Sequence, residues 1–427
     1  MDRRTFLETI PLSAAALRLP ARGEAGHTAD PAGKTAWPVV PPGVSYFTRQ
    51  KMEALVDTSV PLTSVPFEVV VYNFPSWHPS PWMEQRFGKG WTEFETARHA
   101  TSWFEGEIQP KQPLWGMYDP GDTNSFNEAD PAWAAREIDL AADSGISAFM
   151  IDWYWHEGTM FYHEQLEQGF LRAANRQKLR FAVMWANHHW PNIYPAPLKG
   201  EEAIIFPQTY SEADMDRLTD YLLEHYLREP NYWRIDDLPV FAIFNIDGNG
   251  GILKHFGVEK LRAIFDRMRS RTVKAGLKGL HFQASHAYSA GKTPLKEAGF
   301  DSATHYHTFA GGPPGSTTEY ADGLEESINL WKATAPKVNL PYFPDCPVGW
   351  DNSPRYGRNA HILVHRTPDQ FELQLLAAKY FVAGQRTKPP VIFLSAWNEW
   401  TEDHYLLPDA LYGYSFLDAV RRQFRAV

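Results

Sequence analysis

Between residues 67 and 424, short runs rich in Val, Ile, Phe and Tyr alternate with segments of helical period, and this order limits the chain to few folds. The β-rich runs fall at 67–73, 148–154, 180–187, 239–244, 280–286, 302–306, 342–346 and 391–397. Helical period follows near 128–144, 163–177, 212–228, 258–275, 294–298, 319–334, 369–384 and 416–424. Eight βα units in succession predict an α/β fold of one kind, a single (β/α)8 TIM barrel with long βα loops. A doubly wound sheet would more often have five to seven strands. No fixed-period repeat points to a solenoid or propeller.

The segments ahead of the barrel read differently. Residues 1–26 open with Met1-Asp2-Arg3-Arg4-Thr5-Phe6-Leu7 and continue weakly apolar, a pattern similar to a twin-arginine export signal. Residues 27–60 read as a Pro/Gly-rich linker and N-terminal extension, leaving 61–427 as the (β/α)8 domain. The expected location is therefore periplasmic or secreted. Cys346 is the sole cysteine, so no internal disulfide forms, which suits folding before export; the thiol is read as a packing group.

Composition removes several classes of partner. No run is apolar enough to span a bilayer, so no membrane insertion is expected. With 41 basic against 51 acidic residues, a net charge of −10 and no Lys/Arg-rich run, the chain lacks the electrostatic footprint of a nucleic-acid binder. Aromatics are abundant, at 16 Trp, 19 Tyr and 26 Phe, and many stand beside His, Asn or Asp. That mixture suits ligands with apolar faces and polar rims, such as the sugars of a polysaccharide or oligosaccharide. A monomer is the expected state.

A barrel builds its site at the C-terminal ends of its strands. There this sequence places Tyr72, the run Asp152-Trp153-Tyr154-Trp155-His156, the run Trp185-Ala186-Asn187-His188, then Tyr306, Trp350-Asp351 and Asn398-Glu399-Trp400-Thr401-Glu402. Buried without partners, each polar group would cost roughly several kcal/mol, so a solvated cleft explains them more economically. Glu399 and Glu402 sit three residues apart just past the eighth run. Like charges so close raise one carboxyl's pKa and leave one acid and one base, the division of labour that glycosidic cleavage needs. A surface pair balanced by a helix dipole or a cation is the competing reading of the same spacing.

Four motifs in this order, Asp152-Trp153-Tyr154-Trp155, Trp185-Ala186-Asn187-His188, the stretch Gly349 to Arg355, and Trp397 to Glu402, resemble glycoside hydrolase family 99 and its WbsX-type relatives. The likeness runs from about residue 67 to 414. That family comprises endo-α-mannosidases and endo-α-mannanases on a (β/α)8 barrel, together with polysaccharide-cluster proteins labelled as glycosyltransferases. The resemblance implies that Glu399 is the base and Glu402 the acid. It also implies retention through a 1,2-anhydro sugar, formed when the base deprotonates the sugar's 2-hydroxyl, and it implies no metal or other cofactor. Relatives commonly continue Glu-Gly where this chain has Glu402-Asp403-His404. The added carboxylate and imidazole are expected to alter the subsite or the acid's pKa.

Within this frame Trp153, Trp155, Trp185 and Trp350 are candidate sugar-stacking walls. Asn187, His188, Tyr306, Asp351 and Arg355 are candidate hydrogen-bonding groups, and Tyr72, Asp152 and Trp400 complete the candidate contacts. His188-His189 and His305-x-His307 with Asp152 or Asp301 would supply metal ligands, but adjacent histidines on a strand point apart. Gly248-Asn249-Gly250-Gly251 lacks the lysine of a phosphate loop and reads as a turn. A glycosyltransferase would need a nucleotide-sugar site, and no Asp-x-Asp motif stands in a suitable loop. A non-catalytic sugar-binding protein would have no need of both glutamates.

Overall fold

The computed structural model describes residues 37–62, 65–192, 204–286, 293–309, 311–385 and 388–425. The twin-arginine segment and residues 27–36 lie outside them. From Trp37 onward the described chain forms one compact unit. Its extension is packed: Phe47 and Met52 are buried, and the Phe47 amide donates to Gln370 Oε1 at 2.8 Å.

Among the described residues eight parallel strands form the main path of the sheet: β1 (Glu68–Asn73), β2 (Ala148–His156), β3 (Arg180–Trp185), β4 (Leu238–Asn245), β5 (His281–His286), β6 (Ser302–Ala303), β7 (Asp345–Pro347) and β8 (Val391–Ser395). They pair in parallel in the order β6-β5-β4-β3-β2-β1-β8-β7. Ala303 of β6 bridges Tyr342, just ahead of β7, through Ala303 N to Pro341 O and Phe343 N to Ala303 O, both 2.9 Å. That bridge closes the sheet into the expected (β/α)8 barrel. β2 is buried along its whole length, as a parallel strand covered on both faces must be.

Helices α1 (Pro131–Asp143), α2 (Glu212–His225), α3 (Val258–Lys274), α4 (Leu295–Ala298), α5 (Tyr320–Val338), α6 (Pro368–Gln385) and α7 (Ser415–Phe424) follow strands in turn. Local chemistry sets their starts. Asp130 accepts from the Ala132 amide at 2.7 Å ahead of a proline, and Ser211 accepts from the Asp214 amide at 3.1 Å.

Three elements differ from expectation. The helix expected at 163–177 is a π-helical turn (Gln165–Gly169) with 3₁₀ turns at Phe170–Arg172 and Arg176–Lys178. Gly169 lies so close to the backbone before α1 that a Cβ there would stand 2.0 Å from the Glu128 carbonyl oxygen, and the widened turn accommodates that approach. Around β7, Pro341, Pro344 and Pro347 have no amide to donate, so the strand shrinks to three residues. β6 keeps only two residues, and the chain from Thr304 onward turns into the site. Among the described residues, no helix is long and apolar enough to cross a membrane.

Candidate active site

The strand ends open into a cavity of about 650 Å³. Phe74 enters from beyond β1, Asp152 and Tyr154 from β2, and Met184 and Ala186 from β3 and its exit. Phe244 and Asn245 come from β4, Tyr306 from beyond β6, Trp350 and Arg355 from beyond β7, and Glu399 and Glu402 from beyond β8. All lie at the C-terminal face, where a barrel builds its chemistry.

The loop after β8 is a small hairpin. Asn398–Glu399 pairs antiparallel with His404–Tyr405, and a single 3₁₀ turn, Trp400–Glu402, joins them. Because 3₁₀ geometry brings residues three apart over one another, Glu399 and Glu402 both reach the cavity. The hairpin is pinned on two sides: Phe74 N donates to Asn398 Oδ1 at 2.8 Å and Asp351 N donates to the Glu402 carbonyl at 2.7 Å.

Arg355 binds the acids together. Its Nη2 donates to Glu399 Oε1 at 2.8 Å, its Nη1 donates to Glu402 Oε1, and its Nε and Nη2 reach Glu93 Oε1 at 2.8 and 2.6 Å. Glu93 is fully buried and also accepts from Thr401 Oγ1 at 2.5 Å and Ser76 Oγ at 3.2 Å. Tyr306 donates its hydroxyl to Glu399 Oε2 at 2.9 Å, with Asp152 Oδ2 at 3.4 Å. Asp152 Oδ1 makes no hydrogen bond among the described residues.

Charge states follow from this packing. Burial, then the charge of Glu402, pushes Glu399 up to about 8, against the pull of Arg355. Burial also raises Glu402, again opposed by Arg355, and burial with the Glu399 charge holds Asp152 well above the usual carboxylate range. Burial lowers His188 and keeps it neutral.

Of the candidates named from sequence, the cavity gathers Glu399, Glu402, Asp152, His188, Tyr306, Trp350 and Arg355. The others stand elsewhere. Side chains alternate along a strand, so with Asp152 and Tyr154 facing inward, Trp153 and Trp155 face the surrounding helices. Trp153 packs on Trp155 and Tyr226, with centroids 5.5 and 6.1 Å away, and Trp155 Nε1 donates to Asp214 of α2 at 3.1 Å. Trp185 alternates in the same way with Met184 and Ala186, and gives its Nε1 to the Trp155 carbonyl at 2.9 Å. These tryptophans are core, not sugar walls. Asn187 spends its amide on Tyr210 and Asn245, Tyr72 lies beneath Tyr306, and Trp400 stacks on Tyr405 at 4.1 Å. Asp351 accepts from Gln109 and the Ser353 amide at 2.8 and 3.0 Å.

Asp403 and His404 are also turned away from the lining. Asp403 has φ +58°, the left-handed conformation that glycine adopts freely and aspartate tolerates, and its carboxylate meets Arg366 at 2.8 Å and Lys111 at 3.2 Å. His404 is fully buried against Trp350 and His307. Among the described residues, no three His, Cys, Asp or Glu side chains converge as metal ligands. Asp301 instead accepts from Arg269 and the Phe282 amide, both at 2.8 Å.

Sequence reasoning missed Glu93, which lies in the long loop after β1 with no motif around it. Tyr154 was recoverable, because it shares the face of Asp152 two residues before it. The glycine turn after β4 also supplies Gly248 and Asn249 to the wall.

Fold and site together define a (β/α)8 barrel protein of the glycoside-hydrolase type of fold. The chain belongs to the family described as Glycosyltransferase WbsX, whose profile matches residues 69–420. It is 26% identical over 375 residues to the uncharacterized protein WxcX of Xanthomonas campestris pv. campestris strain B100, covering 86% of this chain and 50% of that protein. The chain thus spans about half the length of the curated relatives it matches. A solved glycoside hydrolase-like protein is similar in fold, with TM-score 0.55, 14% identity, and coverage of 89% of this chain and 100% of that one. So is a GH99 endo-alpha-mannosidase from Bacteroides thetaiotaomicron, with TM-score 0.55, 13% identity, and coverage of 83% and 95%.

Proposed function

We propose that this protein is a retaining glycosidase that cleaves an α-linked, mannan-like polysaccharide or glycan internally. The observation that carries the reading is the pairing of Glu399 and Glu402 across one guanidinium inside a cavity walled by aromatic and polar groups. Glu399 accepts from both Arg355 and Tyr306, donors that favour the anion a base must be, whereas burial opposes it.

In the first step Glu399 takes the proton of the 2-hydroxyl, and that oxygen closes on C1. The bond from C1 to the leaving oxygen breaks as Glu402 protonates that oxygen. In the second step Glu402 takes a proton from water, which attacks C1, while Glu399 returns its proton to O2 as the anhydro ring opens. Two inversions give retention.

The family's description favours a second reading, a glycosyltransferase. A nucleotide-sugar donor carries a pyrophosphate that needs cationic partners. Among the described lining residues Arg355 is the sole Lys or Arg, and it is held by three carboxylates. We also infer export by the twin-arginine route, which a fusion of residues 1–36 to a folded reporter would test by reporter location.

The deciding assay follows reducing ends and the product anomer on an α-mannan panel with wild type, Glu399→Gln and Glu402→Gln. Retained cleavage by either variant would remove the assigned roles. Turnover of a nucleotide sugar without cleavage would move the protein to the transferase class.

A further inference from the structure

Asn398, the residue before Glu399, has both ends of its side-chain amide committed. Its Oδ1 accepts from the Phe74 amide at 2.8 Å, so its Nδ2 faces the other way, where it donates to Glu128 Oε1 at 2.5 Å. A donor at one end and a carboxyl oxygen at the other admit a single orientation of that amide. Asn73 Oδ1 adds a longer contact to the same Nδ2, at 3.5 Å, and itself accepts from Gln165 Nε2 at 3.3 Å. Phe74 lines the cavity, whereas Asn73, Glu128 and Asn398 are buried behind the lining.

Glu128 is itself held in place. It stands two residues before Asp130, the cap of α1, and its backbone packs on Gly169, where a Cβ would stand 2.0 Å from the Glu128 carbonyl oxygen. Burial, then the charge of Glu137 on α1, holds its carboxyl well above the usual carboxylate range. At pH 7 Glu128 therefore meets Asn398 as a neutral acid whose carbonyl oxygen accepts, and it brings no further negative charge beneath Glu399. A side chain that only filled the space beside α1 would need no acceptor at that point.

We propose that Glu128 is a positioning residue for the acid pair: by orienting Asn398 it sets the start of the hairpin that carries Glu399 and Glu402, and through the same amide it holds Phe74 at the cavity wall. The inference rests on the glycosidase reading for what the hairpin does, and adds to it a residue 270 positions earlier in the chain that touches no substrate. Without the acceptor a buried N–H loses its partner and the hairpin shifts to regain one. A displacement of about 1 Å at a reacting group costs on the order of a hundredfold in rate.

Glu128→Gln keeps the carbonyl oxygen of the neutral acid, and Glu128→Met keeps the shape without it. On the α-mannan panel Glu128→Gln should hold kcat within about threefold of wild type, whereas Glu128→Met should lower kcat by about thirtyfold or more with KM little changed. Asn398→Ala should show the same loss, and adding Glu128→Met to it should lower kcat no further, because both act through one bond. Additive losses would overturn the proposal. So would a fall of about tenfold in Glu128→Gln, a result that stands even where Glu128→Met does not fold. Hydrogen exchange keeps this inference apart from the glycosidase reading. The Phe74 amide and the amides of residues 397–406 should exchange about tenfold faster in Glu128→Met, and as in wild type in Glu128→Gln, even if wild type cleaves nothing. Equal exchange in all three proteins would remove the positioning role, whatever reaction wild type catalyses.

Discussion

Glu93 from the loop after β1 and Arg355 from the loop after β7 are joined by two hydrogen bonds, of 2.6 and 2.8 Å, with both side chains buried. The same guanidinium reaches Glu399 and Glu402. Glu93 therefore fixes the group that fixes the acid pair. Glu93→Gln keeps an acceptor oxygen but leaves a buried guanidinium with one anion fewer. We expect a stability loss of about 1–3 kcal/mol by chemical denaturation. A roughly tenfold or greater fall in kcat should accompany it, a few-ångström displacement at a reacting centre being enough for that.

Arg355→Lys retains the charge and loses the fork. A lysine presents one point charge and cannot hold three carboxylates in plane. Activity should fall by about two orders of magnitude, and the alkaline limb of the pH profile should move, whereas a purely structural role would leave that limb in place.

The acid pair titrates as a unit, and its singly protonated form is the active one. Burial and the Glu402 charge push Glu399 up to about 8, so the pair keeps one shared proton below that pH, and kcat/KM should decline above it as that proton, needed on Glu402, is lost. The roles separate with leaving group. An aryl mannoside with an acidic phenol departs without protonation, so Glu402→Gln should recover most of its rate on that substrate and Glu399→Gln should not.

Glu137 and Glu399 should make stability fall as pH rises from about 7 to about 8, a range in which the buried histidines no longer bind protons in either state. Glu137 and Glu399 each have a folded-state pKa of about 8, raised from 4.5 chiefly by burial. Between those values the unfolded chain has released its protons and the folded chain retains them, so rising pH favours unfolding. The slope is at most about 1.4 kcal/mol per pH unit for each group. Melting curves across this range check it, and Glu137→Gln should flatten the dependence.

The tryptophans should divide by face. Trp185→Phe removes the 2.9 Å bond to the Trp155 carbonyl and should lower stability by about 1–3 kcal/mol with little change in KM. Trp350→Ala should raise KM severalfold, because Trp350 lies on the cavity wall.

The alternation of eight strands with helices was legible because each parallel strand needs an apolar run and each covering helix a periodic one. The carboxylate pair was legible from its place just past the last strand. The tryptophans misled, since a strand sends neighbours to opposite faces and the sequence does not say which face is the cavity. With Asp152 inward, Trp153 and Trp155 had to be outward, and knowing one orientation settles the rest.

Sequence by itself determined the barrel, the face on which chemistry collects, and Glu399 and Glu402 as neighbours, because all three depend on local periodicity and short spacing. Tertiary structure alone decided that Glu93 joins them from roughly three hundred residues away, with Arg355 as the hub. It also decided that Asp403 fills a left-handed turn and pairs with Arg366 and Lys111 outside the cavity lining. The physical reason is that buried charges are satisfied by whichever partners the closed barrel brings near, and no local pattern along the chain encodes that meeting.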